Sequence, residues 1–244
     1  MIRLDRWLAT LGLGSRSQIH KLVRSGAVAV NGVTERDPAK SVDERAARLT
    51  VRGETVDGRL TRHVMLHKPA GLLTAARDKK QPTVMDLLPD VYASVGCMPV
   101  GRLDKDTTGL LLLTTDGELN HRLLAPARHV DKVYEATVNG LLDETHVAAF
   151  AQGLHLGDFD AQPALLQILR SSAASAEAVV TVHEGKFHQI KRMFEAVGRT
   201  VTALHRASFG PLTLDPTLPE GEWRELTDDE LRALYRAAEM EADE

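Results

Sequence analysis

Residues 101–118 read GRLDKDTTGLLLLTTDGE. Arg102, Asp104, Lys105 and Asp106 stand directly against four consecutive leucines, Leu110 to Leu113. An apolar run of this length and composition reads as a strand with both faces covered, and Gly109 marks where the charged segment enters the sheet. A loop held at the rim of a rigid core is where proteins position reactive groups, and where burial and neighbouring charges tune them. Three readings of the loop compete. Arg102 and Lys105 could neutralise Asp104 and Asp106 in an ordinary charged turn. Asp104 and Asp106 could form a paired-carboxylate glycosidase site, since residues two apart share a face of an extended segment. Asp104 alone could be a nucleophile.

Outward from this strand, the pattern from His63 onward interleaves strands and helices. HVMLHKPAG reads as a strand ending in a turn, TVMDLLP as a short helix and DKVYEATVNG as a strand, and DETHVAAFAQGL is a helix capped by Asp143. Further on, EAVVTVHEGK is a strand, FHQIKRMFEAVG a helix closed by Gly198, and RTVTALHRASFGPLTLD one or two strands. DDELRALYRAAEM reads as a peripheral amphipathic helix. Strands dominate, so the pattern predicts an α+β domain: a mixed, mostly antiparallel sheet with flanking helices.

The N-terminal stretch reads differently. Leu4, Trp7, Leu8 and Leu11 recur at helical spacing, Gly12 and Gly14 break the run, and Ser15 caps a second helix from about Arg16 to Ser25. Gly26 follows as its C-terminal stop, Ala27 to Val30 form a strand, and Asn31-Gly32 is a strong hairpin signal. On the second helix Ile19, Leu22 and Val23 face inward, while Arg16, His20 and Arg24 make a basic stripe with Lys21 beside it, a stripe expected to carry no acidic partners. The net charge of -4 hides this asymmetry: residues 1–62 hold 12 Lys/Arg against 7 Asp/Glu, whereas residues 219–244 hold 3 against 10. A basic head of this kind suits phosphate contact. The division between a small module, 1–60, and a larger domain, 61–244, is placed at the polar segment RGETVDGRLTR.

At 244 residues and 43% apolar, the chain can build a real core in each part. One cysteine, Cys97, forms no internal disulfide, and the ten histidines show no metal-binding spacing, so no metal is expected. No apolar run reaches membrane-spanning length and no leader opens the chain, which predicts a cytoplasmic protein without membrane contact; a monomer is expected.

Residues 2–50, through RLDRWLA, SRSQIHKLVRSGAVAVNG and VTERDPAKSV, resemble the small RNA-binding domain named after the small-subunit ribosomal protein S-four. The segments HVMLHKPAGLLTA, GRLDKDTTGLLLLTTDGELNHRLLAP, KVYEATV and EGKFHQIKRMFEAVGRTVTALHRASFGPLTLD resemble, in order, the motifs of the RsuA-type pseudouridine synthases. That resemblance spans essentially the whole chain. It implies an isomerase that breaks the bond between uracil and ribose, turns the base over and rejoins it through carbon. Nothing is oxidised or added, so it implies no cofactor.

Residue by residue, the resemblance makes Asp104 the nucleophile, attacking either the ribose or the base, and Lys191 its basic partner. Tyr134 lies against the target base. Arg102 contacts RNA and fills the space of a flipped base, flipping being required because a stacked nucleotide is out of reach. Arg192, like Arg16, His20, Lys21 and Arg24, is expected at the RNA. Asp106 is expected to be structural, a cap or a partner for Arg102; Lys68 and Pro69 are expected to shape a turn, and His188 to take a polar, hydrogen-bonded role. The implied substrate is 16S ribosomal RNA, at the family's uridine 516, free or within a partly assembled small subunit. A 23S enzyme of the same family and a non-catalytic RNA-binding assembly protein remain as alternatives.

Overall fold

The structure, a computed structural model, describes residues 1–240. Two compact units emerge: Met1–Arg62 together with Leu88–Met98, and His63–Leu87 together with Pro99 onward.

In the first unit the helices Leu4–Thr10 and Arg16–Arg24 pack on a four-stranded antiparallel sheet ordered Val33–Glu35, Val28–Val30, Leu49–Val51, Glu54–Val56. Ser15 and Gln18 close a reciprocal capping box at the second helix. Asn31 and Gly32 both take positive φ, 52° and 80°, as the tight hairpin between the first two strands requires. Leu4, Trp7, Leu8, Ile19, Val23 and Val28 form the core, and the Trp7 indole donates to the Gly58 carbonyl at 2.8 Å. Val91 and Val95 pack on the same core. Residues 88–98 therefore return to this unit, which a single division of the sequence at residue 60 does not contain.

The second unit is built on seven main strands: β1 His63–Lys68, β2 Thr108–Thr114, β3 Lys132–Asn139, β4 Leu165–Ser171, β5 Ser175–Val182, β6 Val201–Phe209 and β7 Trp223–Glu225. They stand in the order β4-β5-β3-β6-β2-β1-β7. Every neighbouring pair is antiparallel except β6 and β2. Leu110 to Leu113 are all buried, with Leu110 and Leu112 in one cluster with Met65, Phe209, Leu234 and Tyr235. The last two residues belong to the helix Asp228–Ala237. That helix is less peripheral than its sequence suggests: Tyr235 also donates to Asp116, the N-cap of the helix Gly117–Leu124, at 2.7 Å.

Where β2 meets β6, Gly109 has φ +105°, and a Cβ there would lie 2.3 Å from the Arg206 carbonyl oxygen. Only glycine allows this close parallel approach. Around it, Lys68, Gly109, Arg206, Tyr134, Val180 and Leu166 stand in register across six strands. Among the described residues no helix is long and apolar enough to cross a membrane.

Candidate active site

The charged loop enters β2 as a tight turn, with the Thr107 amide donating to the Asp104 carbonyl at 3.1 Å. Three anchors hold it. Leu103 is buried and exchanges hydrogen bonds with the Thr74 hydroxyl, which donates to its carbonyl at 2.8 Å and accepts from its amide at 3.2 Å. The Gly71 amide donates to the Lys105 carbonyl at 2.7 Å. Lys68, fully buried, donates from Nζ to the carbonyls of Pro69, Lys105 and Thr107 at 3.0, 3.2 and 2.9 Å. Burial pushes its ammonium down to about 8. Lys68 thus acts as a clamp on the loop's backbone, more than the turn-former expected beside Pro69.

Across from the loop stands the helix Gln189–Ala196. Ile190, Met193 and Phe194 are buried, which turns Lys191 outward to the charged loop. Its Nζ lies 3.2 Å from Asp104 Oδ2 and 2.6 Å from Asp106 Oδ1. Burial works against the Lys191 charge, but the two carboxylates outweigh it and raise its pKa. The Asp106 carboxyl is lowered, chiefly by its hydrogen bond to Lys191. Asp106 is therefore a second partner of Lys191, and the expected pairing with Arg102 does not form. Arg102 is exposed.

His188 caps the helix in a left-handed conformation, φ 50°, with Nε2 3.5 Å from Asp104 Oδ1. Gln189, buried, fixes the preceding turn by donating to Glu184 at 2.7 Å and accepting from the Lys186 amide at 3.0 Å. Tyr134 is buried on β3, directly opposite Arg206. Since Arg206 in turn faces Gly109, Tyr134 is brought to the end of the sheet at which the charged loop enters.

Two expected RNA contacts are already engaged. Arg192 bonds Asp158 and the Leu156 carbonyl and lies over the Phe159 ring, so its guanidinium is turned to the protein. His20 lies 3.1 Å from Asp5, which Arg3 also binds, so the stripe does have an acidic partner, supplied by the preceding helix. Arg16, Lys21 and Arg24 are exposed. Sequence spacing missed the Lys68 clamp, the Thr74 latch and the contact between Thr108 Oγ1 and His205 Nδ1 at 2.9 Å; each depends on register across the sheet.

A chain that combines a sheet domain bearing an ion-paired aspartate on its entry loop with a small basic module has clear relatives. Residues 62–196 match the family model described as RNA pseudouridylate synthase, and residues 2–46 match the S4 domain. The chain belongs to the RNA pseudouridylate synthase family and is an isomerase acting on RNA. Within that family it is of the RsuA type. It is 39% identical to the Pseudomonas aeruginosa ribosomal small subunit pseudouridine synthase A, over 94% of this chain and 99% of that one. It is 42% identical to the Bacillus subtilis RNA pseudouridine synthase YtzG over 96% and 98% of the two chains. Among solved structures, a pseudouridylate synthase crystal structure aligns with TM-score 0.66 at 34% identity, covering 96% of this chain and all of the other.

Proposed function

We propose that the protein converts a uridine of 16S ribosomal RNA, uridine 516, to pseudouridine with Asp104 as nucleophile and no cofactor. The observation that carries this reading is the contact of Asp104 with the Lys191 ammonium at 3.2 Å. That charge-assisted contact fixes the carboxylate in place on its loop, and a carboxylate so positioned is a group able to attack the ribose or the base. The reaction breaks the nitrogen–ribose bond and forms a carbon–ribose bond in its place; one proton leaves the ring carbon and the ring nitrogen gains one, so no oxidant or added group is needed. Tyr134 lies against the base, Arg102 contacts the RNA and fills the space left by the flipped base, and Arg16, Lys21 and Arg24 bind phosphates. The names of the small-subunit relatives support the choice of substrate. The test is carbodiimide mapping of pseudouridine in ribosomal RNA from cells lacking the gene and complemented with wild type or Asp104→Asn. The expected result is one 16S position lost and restored by wild type alone. A missing site in 23S RNA would overturn the substrate, and restoration by the Asn variant would remove Asp104 from the chemistry.

A further inference from the structure

Phe187 is 68% exposed, the one aromatic among the largely exposed apolar side chains described. A single exposed apolar residue is ordinary. This one is not loose. Its ring stacks on that of His188 with centroids 3.8 Å apart and planes 17° from parallel. The stack is held from below: Gln189 ties Glu184 and Lys186 together, and the buried residues Ile190, Met193 and Phe194 fix the helix that follows. His188 itself takes a backbone conformation disfavoured for residues other than glycine. With His188 against one face of the Phe187 ring, the large exposure leaves the other face open to solvent. The pair also borders the reacting group, since His188 Nε2 is 3.5 Å from Asp104.

We propose that the stacked Phe187–His188 pair is a platform for an unpaired base adjoining the target uridine. The proposal rests on the reading of Asp104 as the reacting group. When a nucleotide leaves its stack to reach an active site, its neighbour loses a stacking partner. Aromatic and imidazole rings are the surfaces on which proteins receive such bases. A flat ring stacked on an imidazole that itself reaches Asp104, and open on its other side, offers that surface. Because every base has a π-face, the platform contributes affinity rather than sequence choice.

The experiment uses full-length protein and 16S ribosomal RNA in partly assembled small subunits, with RNA affinity and single-turnover rate measured for wild type, Phe187→Ala, Phe187→Leu and Phe187→Tyr. Phe187→Ala is expected to raise Kd about 5- to 150-fold, with a smaller effect on the saturated rate and an unchanged thermal midpoint. Phe187→Tyr stays close to wild type, and Phe187→Leu, apolar but without a π-face, behaves like Phe187→Ala. An abasic nucleotide beside the target uridine is expected to cost wild type the same affinity and to make Phe187→Ala silent, the signature of coupling between the two groups. Wild-type affinity in Phe187→Ala, or full rescue by Phe187→Leu, overturns the platform while leaving the proposed function standing. A wild type inactive on this RNA overturns both.

Discussion

Lys68 Nζ and the Thr107 carbonyl oxygen meet at 2.9 Å in the interior, although 39 residues separate them in the chain. With the Pro69 and Lys105 carbonyls also accepting from it, a buried cation donates its hydrogen bonds to backbone carbonyl dipoles, while the carboxylates of Asp106, Asp104 and Glu220 act on it through space. That choice keeps Asp104 and Asp106 for Lys191 and sets the height at which the loop leaves the sheet.

Lys68→Met should destabilise the protein by about 2 kcal/mol near neutral pH, since it strands buried carbonyls while relieving the cost of a buried charge. The pH dependence has a definite sign. Between the folded value of about 8 and the ordinary lysine value of about 10.4, the unfolded chain holds a proton that the folded chain lacks. Stability contributed at Lys68 therefore rises with pH through that window, and the burial cost is fully present below it. Urea unfolding of wild type and Lys68→Met should show a gap that widens between about pH 7 and pH 10. A gap that narrows would mean the folded ammonium is not depressed.

Gly109→Ala should cost at least about 3 kcal/mol, because the new methyl meets backbone atoms that cannot step aside: Arg206 O at 2.3 Å and N at 2.6 Å. Thermal unfolding checks this; a midpoint near wild type would show that β2 and β6 can separate without loss.

Lys191→Met should slow single-turnover isomerisation on the order of 100-fold with little change in RNA affinity, because it removes the charge partner of the proposed nucleophile. Asp106→Asn should cost less than about tenfold, since Lys191 keeps Asp104. Lys191→Arg should retain part of the rate, limited by the planar shape of guanidinium. Equal losses from Asp106→Asn and Asp104→Asn would instead make the two carboxylates a functional pair.

Reversing charge at Arg16 and Arg24 together should weaken RNA binding and make the dependence of affinity on salt shallower by about two contacts. His20→Gln should leave that slope alone, since the imidazole is engaged with Asp5. Filter binding across a salt series separates the outcomes, and an unchanged slope in the double variant would make the stripe a solvated surface.

What the sequence made legible was local or carried by motif. The leucine strand, the Gly109 entry point, the Ser15 cap and the Asn31-Gly32 turn follow from periodicity and backbone chemistry within a few residues. The approach of Lys191 to Asp104 came from family resemblance, since no spacing rule joins positions 104 and 191. What stayed hidden depends on tertiary placement. Lys68 looks like an ordinary turn lysine until β1 is paired with β2. Asp106 is drawn to the helix Gln189–Ala196, away from its neighbour Arg102. The side chain that answers His20 is 15 residues upstream on another helix.

The return of residues 88–98 to the N-terminal core makes the two units inseparable by a single cut. The chain crosses between them after Arg62, after Leu87 and again after Met98, and the last crossing lies only a few residues before Asp104. A truncation that begins at His63 would keep Val91 and Val95 while deleting the core they cover, exposing apolar surface in the remnant. Grafting either unit onto another protein therefore requires moving three junctions together, and an insertion or deletion between Leu88 and Met98 would reach both the module that carries the basic stripe and the lead-in to the charged loop.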